Sequence, residues 1–255
     1  MAGTCDPSSS AAAEEGEAVH YMATANGVRP RQCAAQIAAL LPGAQVQTGK
    51  ASLLRGVTFR APTSAVRQLA RLSLPERIYA IVAAVPVDQI QSRTSGQHAE
   101  LLLNLEALAT SAPGWSSALA THQLLHGDIE RTIAVNGKRG GTRFRGISSD
   151  RLAAALGGAL SDTFGWRVDL RTPTLELTAH LNDEGLLLTL ALLHRPASIE
   201  GRSRVAGGLD ATVAWAMARS AAPLPDGALV VDPMCGAGAT LIECLAENPS
   251  VLGFG

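Results

Sequence analysis

The segment Leu229-Val230-Val231-Asp232-Pro233-Met234-Cys235-Gly236-Ala237-Gly238-Ala239-Thr240 runs as a short apolar strand, stops at an acidic residue and passes through two glycines toward a helical pattern. A carboxylate at the carboxyl end of a strand can accept hydrogen bonds from an ammonium group. Glycines at 236 and 238 would let backbone approach a ligand closely, and the free N–H groups of a following helix would meet a ligand carboxylate. A plain tight turn has the same Gly-x-Gly appearance. The dinucleotide fingerprint would need a third glycine where Leu241 stands, and the Gly-Lys-Ser/Thr ending of a phosphate loop is missing, so both of those readings lose ground.

A second stretch carries charge. Between Arg131 and Arg145 lie Arg131, Lys138, Arg139, Arg143 and Arg145 with no acidic residue among them, interleaved with Gly137, Gly140 and Gly141. Residues Asn136 to Arg145 read as a mobile basic loop able to follow phosphates by charge and backbone N–H groups, against the alternative of a merely solvated loop. Other candidates carry less. His122 and His126 have helical i, i+4 spacing, but Gln123 stands where a zinc protease needs its general-base Glu, so the pair is expected on a helix surface. His180 reads as a core histidine, Glu243 as a solvent-facing helical residue, and Trp166 and Trp215 as packing.

The elements that must position these residues follow from periodicity and punctuation. Strands are expected at His20–Ala25, Leu53–Arg60 and Arg77–Val85, with helices at Arg31–Leu41 and at Thr63–Ser73, the latter capped by Thr63 or Ser64. After a polar break at Ser92–Gln97 come helices at Ala99–Leu108 and Ser116–Leu125, separated by the turn Ser111-Ala112-Pro113-Gly114. A strand at Ile129–Val135 precedes the basic loop, and Ser148 or Ser149 caps a helix to Phe164, whose Gly157-Gly158 pair suggests close packing. Asn182-Asp183-Glu184-Gly185 is a hairpin signal between Leu175–Leu181 and Gly185–Leu193. The last segments are a helix at Ala211–Ser220, a strand at Ala228–Val231, a helix at Thr240–Glu247 and a strand from Val251.

Bulk properties set bounds. A net charge of −1 offers no global attraction to nucleic acid, so any such surface is local. Cys5, Cys33, Cys235 and Cys244 form no C-x-x-C pair and no Cys/His grouping, which argues against a metal knuckle or disulfide framework. Met1–Ala18 is acidic and aperiodic, unlike a targeting signal, and the apolar run Gly185–Leu193 is far shorter than the ~20 residues of a membrane span. The cytoplasm or nucleus is expected, with no membrane role.

The block Asp-Pro-Met-Cys-Gly-x-Gly at Asp232–Gly238 resembles motif I of methyltransferases that modify exocyclic amino groups of nucleobases. Gly165-Trp166-Arg167-Val168-Asp169-Leu170, Leu175-Glu176-Leu177 and His180-Leu181-Asn182-Asp183 resemble the end of a THUMP domain. Gly208-Leu209-Asp210-Ala211-Thr212-Val213-Ala214-Trp215-Ala216-Met217-Ala218 resembles the helix preceding motif I in eukaryotic THUMP-domain guanine-N2 RNA methyltransferases, with Asp210 where that family carries Arg. The resemblance runs from about Gly49 to Gly255 and is specific from Arg131 onward.

That resemblance implies a mixed α/β fold: a disordered tail (1–18), a ferredoxin-like α+β unit (19–97), a helical connector with a THUMP RNA-binding domain (98–195), a linker (196–208) and the first part of a Rossmann-like methyltransferase domain (209–255). It implies S-adenosyl-L-methionine as cofactor, held by Asp232, Pro233, Met234, Cys235, Gly236, Gly238 and Thr240. It also implies a structured RNA such as tRNA or small nuclear RNA, gripped through the basic loop, and a small zinc-containing activator subunit. No metal site is implied within the chain. The family's second acidic residue falls about where Gly255 ends the chain, and its Asp/Asn-Pro-Pro-type loop would lie beyond, so catalytic residues are expected outside the chain. The chain alone is then expected to be inactive, and the alternative is a truncated, non-catalytic RNA-binding module.

Overall fold

The computed structural model describes residues 18–24, 30–48, 56–72, 75–90, 98–194, 209, 211–221 and 223–255. The elements open with β1 (Ala18–Thr24), α1 (Pro30–Leu40), β2 (Gln45–Thr48), β3 (Val57–Pro62), α2 (Val66–Leu69) and β4 (Arg77–Pro86). Next come α3 (His98–Thr110), α4 (Trp115–His126), β5 (Thr132–Arg139), α5 (Ser149–Phe164), β6 (Arg167–Val168), β7 (Leu175–Asn182) and β8 (Gly185–His194). The described elements end with α6 (Ala211–Ala221), β9 (Leu229–Val231), α7 (Ala239–Glu247) and β10 (Leu252–Phe254). The chain is a mixed α/β protein.

Strands β1 to β8 share one sheet in the order β2-β3-β1-β4-β8-β7-β5-β6, so the two successive α+β stretches meet where β4 pairs antiparallel with β8. β7 shows the period of two that a strand with one buried face requires: Leu175, Leu177, Ala179 and Leu181 are buried and the residues between them are not. β8 is buried almost throughout, as its continuous apolar run demands. The core packed on the sheet draws on α1 to α5, with Tyr21 stacked on Phe59 at 5.1 Å, and Trp215 of α6 joins it. Trp115, Phe164 and Trp166 form a second aromatic group, in which Phe164 and Trp166 stack at 4.4 Å.

Two β-bulges interrupt the β4–β8 register, one between Ile81 and Ala83. There the Val82 carbonyl accepts from the Gly114 N–H at 3.2 Å, and a Cβ at 114 would run into the Ile81 and Val82 carbonyls. The turn before α4 therefore needs glycine for a close approach to the sheet. Helix α5 is set by its ends: the Ser148 side chain accepts from the Arg151 N–H at 3.2 Å, and Gly165 closes the helix in the left-handed region.

Several expectations are corrected. The helix expected over Thr63–Ser73 is a 3-10 turn at Thr63–Ala65 followed by α2 alone, with no side-chain cap, and i→i−3 bonds from Arg71 and Leu72 tighten its exit so that Leu72 is buried. The strand expected to end at Val135 runs on to Arg139, because β5 pairs in parallel with β7 from Ile133↔Leu175 to Arg139↔Leu181. Part of the expected mobile loop is thus sheet. β2 and β6 have no apolar pattern to announce them. The expected tail over 1–18 lies outside the described residues as far as residue 17, and Ala18 already belongs to β1; the polar break at 92–97, the linker at 196–208 and Asp210 also lie outside the described residues.

His122 is also corrected: it is buried at 6 % exposure, not on a helix surface, with its ring 4.5 Å from that of His126, whose Nε2 contacts the Leu192 carbonyl at 2.8 Å. Burial, with the neighbouring His126 and Arg131, pushes its pKa down to about 4.

This packing sets the sign of two glycine substitutions. Gly158 of α5 is exposed, and a Cβ added there would meet nothing within 4 Å, so Gly158→Ala should stabilise by about 1 kcal/mol. Gly137 of β5 abuts α5, where a Cβ would strike the Ser149 carbonyl, so Gly137→Ala should destabilise by roughly 1 to 3 kcal/mol. Chemical denaturation distinguishes the two signs. A further prediction concerns acid. Unfolded His122 protonates near 6.5 whereas folded His122 resists until about 4, so the stability from keeping it neutral is complete above about 6.5 and is lost as pH falls toward about 4. The melting temperature should decline over that window, and His122→Gln should remove that part of the decline. An identical pH profile in the variant would refute the assignment.

Candidate cofactor turn and nucleic-acid interface

β9 and β10 pair in parallel on either side of α7, making a compact βαβ unit. The ladder extends one step past β9, where the Asp232 N–H donates to the Phe254 carbonyl at 2.9 Å, and this fixes Asp232 at the strand's carboxyl end. The turn that follows is tight. The Cys235 N–H donates to the Asp232 carbonyl and the Gly238 N–H to the Cys235 carbonyl at 2.7 Å. Gly236 at φ 53° and Gly238 at φ 77° are both left-handed, so the reversal into α7 requires glycine for conformation.

The side chains of the turn divide by exposure. Asp232 is half-buried, and its Oδ1 accepts from the Met234 N–H at 3.0 Å. Its other carboxylate oxygen has no hydrogen-bond partner among the described residues. Pro233 is exposed and Met234 is 89 % exposed, so the pair presents apolar surface outward. Cys235 and Thr240 are half-buried, with Cys235 lying against Gly255. Helix α7 begins at Gly238 without a side-chain cap, leaving its first amides without a side-chain acceptor. Around Gly236 a Cβ would meet nothing within 4 Å. A free carboxylate oxygen, uncapped amides and open space over a glycine turn suit a small zwitterionic ligand. Glu243 departs from expectation: it is buried at 2 % exposure on the inner side of α7.

The basic residues fall into two places. Arg131 precedes the first residue of β5 and Arg139 ends the strand, so about 26 Å of extended chain separates them at ~3.3 Å per residue. Arg131 therefore does not join the loop but lies near enough to His122 to depress its pKa. Lys138, registered with His180, points to the sheet face opposite α5. Arg139 turns back on the chain, its Nη1 donating to the Gly141 carbonyl at 3.0 Å. Arg143 and Arg145 are exposed.

This loop is anchored. Phe144 and Ile147 are buried in the core, the Gly140 N–H donates to the Leu181 carbonyl at 2.9 Å, and the Arg139 N–H donates to Ser149 Oγ at 3.2 Å. Across from it stands a residue that sequence reasoning places only in a hairpin. The Asp183 carboxylate accepts from the Thr142 N–H at 2.8 and 3.0 Å and from the Arg143 N–H at 2.7 Å. Those hydrogen bonds, foremost that of the Arg143 amide, hold the carboxyl below the usual carboxylate range, with the charges of Arg143 and Arg145 adding to them. The patch thus has a counter-charge after all, contributed from 40 residues away. The available signal is the pair Asn182-Asp183. Asn182 Oδ1 already accepts from the Glu184 and Gly185 N–H groups, which leaves Asp183 free to serve another segment.

Comparison with known proteins meets this geometry at both places. The family described as THUMP domain matches residues 116–191, and the family described as RMKL-like, methyltransferase domain matches residues 202–252. The U6 snRNA (guanine-N(2))-methyltransferase THUMPD2 of Mus musculus is 41 % identical over 109 residues, covering 43 % of this chain and 20 % of that protein. The tRNA (guanine(6)-N(2))-methyltransferase THUMP3 of Bos taurus is 35 % identical over 104 residues, covering 40 % and 20 %. The chain thus spans about a fifth of the length of these relatives. Among solved structures, TrmN from Thermus thermophilus superposes with a TM-score of 0.68 at 23 % identity, covering 92 % of this chain and 64 % of that one, which shows a shared fold. The chain carries a THUMP domain, in which the basic loop and Asp183 lie, followed by a stretch of RMKL-like methyltransferase domain that contains the Asp232–Thr240 turn.

Proposed function

We propose that this chain supplies the RNA-gripping and cofactor-binding parts of an S-adenosylmethionine-dependent RNA methyltransferase acting on the exocyclic N2 amine of a guanosine. The observation that carries the reading is the pairing in one chain of a THUMP domain with a methyltransferase segment whose glycine turn has the form described above. Structured RNA is the proposed substrate class, tRNA or small nuclear RNA, in keeping with the names of the relatives. The βαββαβ order of the first elements, with strands arranged β2-β3-β1-β4, supports a ferredoxin-like front unit. The family resemblance extends the proposal to a cytoplasmic or nuclear setting and to a small zinc-containing activator subunit. Among the described residues no helix is long and apolar enough to cross a membrane.

When bound, S-adenosylmethionine supplies a methyl group on a sulfonium already activated for transfer. The protein's share is therefore placement and the exclusion of unproductive poses. Asp232 would offer a carboxylate oxygen to donor groups of the cofactor, the backbone at Gly236 and Gly238 would allow close approach, and the uncapped start of α7 would accept a carboxylate. Pro233, Met234, Cys235 and Thr240 line the same turn. On the RNA side, Lys138, Arg143 and Arg145 meet phosphates, and Arg139 works largely by bracing the loop. Arg131, at the far end of β5, would serve as a separate contact.

Calorimetric titration with S-adenosylmethionine tests the cofactor reading. Asp232→Ala should weaken affinity about tenfold to a hundredfold by removing a charge-assisted hydrogen bond. Gly238→Val should abolish binding, since a β-branched residue at φ 77° is strained by roughly 1 to 3 kcal/mol and would distort the turn into α7. Undiminished affinity in both variants, with normal melting, would overturn the assignment of the turn. For RNA, replacing Lys138, Arg143 and Arg145 by Ala should weaken binding and lower the slope of log affinity against log salt by roughly one per lost phosphate contact. An unchanged slope would exclude the loop from the interface.

A further inference from the structure

We infer that Asp183 is a positioning residue that locks the basic loop into its RNA-binding shape before RNA arrives. The inference rests on the reading of that loop as an RNA contact and adds how the contact is prepared.

The loop's two flanks are held independently of Asp183. On one side β5 is laddered to β7 through Arg139↔Leu181, and on the other Phe144 and Ile147 are sunk in the core, with the Ile147 N–H donating to the Phe144 carbonyl at 3.0 Å. Between these anchors the amides of Thr142 and Arg143 are taken by one acceptor group, the Asp183 carboxylate. The fit is close enough to dictate a neighbour. Gly141 is left-handed at φ 70°, and a Cβ on it would collide with the Asp183 carboxylate, so glycine is required both for backbone conformation and for room. Arg139 completes the brace from the other side by donating to the Gly141 carbonyl.

Electrostatics alone would not place an acid here. Asp183 subtracts one charge from a patch that contains Arg139, Arg143 and Arg145, and a surface tuned only for phosphate attraction would be better without it. Its contribution is preorganisation: a loop already fixed loses less conformational freedom on binding, and Arg143 and Arg145 start from backbone positions that need no rearrangement. The opposite role is physically definable as well. Consecutive amides such as those of Thr142 and Arg143 can cup an anion, so Asp183 could instead occupy a place that a phosphate would otherwise take. The two roles differ in sign.

The test measures binding of a tRNA transcript by fluorescence anisotropy for Asp183→Ala, Asp183→Asn and Gly141→Ala, beside the Lys138/Arg143/Arg145 triple-Ala variant. Asp183→Ala should bind about tenfold more weakly despite its more positive charge, with little change in melting temperature, and the Thr142 and Arg143 amides should lose hydrogen-exchange protection. Asp183→Asn, which keeps an acceptor oxygen, should recover part of the affinity. Gly141→Ala leaves every charge in place and should reproduce the loss, and the double variant should be no worse than either single one. Tighter binding by Asp183→Ala would establish the competing anion role and overturn the inference, and unchanged binding would overturn it as well. If instead the triple-Ala variant binds as tightly as the parent, the loop is not an RNA contact, and the failure belongs to that underlying reading.

Discussion

The antiparallel ladder between β4 and β8 joins strands from the two halves of the chain, and through its middle both of its faces are buried. Ile78, Tyr79, Ala80 and Ile81 on β4 and Leu186 to Leu192 on β8 are all buried, so alternate residues on each strand serve opposite sides of the sheet. Such a pair cannot be separated without exposing two apolar surfaces at once. β8 in turn positions β7, β7 positions β5, and β5 delivers the basic residues to the sheet's end. The bulge at Val82 shows the same constraint locally. An interruption in the ladder frees a carbonyl, and the turn before α4 is drawn in to satisfy it, which determines where α4 starts and that residue 114 has no side chain.

What can be read from the sequence is local or periodic. Ser148 and Gly165 bracket α5 as caps should, Leu175–Leu181 alternates as a strand with one buried face, and Leu229 to Glu247 forms the strand, glycine turn and helix that its residue types require. The parts that stay hidden depend on contacts between distant segments. No local pattern around Asn136–Arg139 competes with its glycine and charge content, yet pairing with β7 makes it strand. His122 and Glu243 carry polar side chains on helices, and residue type alone sends them to water, whereas their helices place them inward. Arg131 belongs with the loop by sequence proximity, and extended chain geometry separates it. For the candidate sites, the residue types are legible and the bracing is not.

The Asp232–Thr240 turn and the basic loop use glycine and carboxylate in contrasting ways. At Gly236 the left-handed backbone leaves open space, and one Asp232 carboxylate oxygen has no hydrogen-bond partner among the described residues. At Gly141 the left-handed backbone leaves none, because a carboxylate from another element fills the position. One turn faces outward and the other closes around an internal group. A third acidic residue has a further structural use: Glu247 at the end of α7 accepts from the Trp215 indole at 2.7 Å and pairs with Arg219 at 3.3 Å, fastening α7 to α6 through a tryptophan that also belongs to the main core.

Asp183 takes its hydrogen bonds from main-chain amides of the loop it holds. The loop's shape and its chemical lettering are therefore separate properties of the chain. Residues 142, 143 and 145 can be exchanged for others without removing the hydrogen bonds that set the backbone, provided that residue 141 stays glycine and residue 183 keeps its carboxylate. Under the proposed RNA-binding role of the loop, a scaffold of this kind can be retuned toward a different nucleic acid by single substitutions at its outward positions. It offers a fixed frame on which recognition can drift in evolution or be rewritten by design.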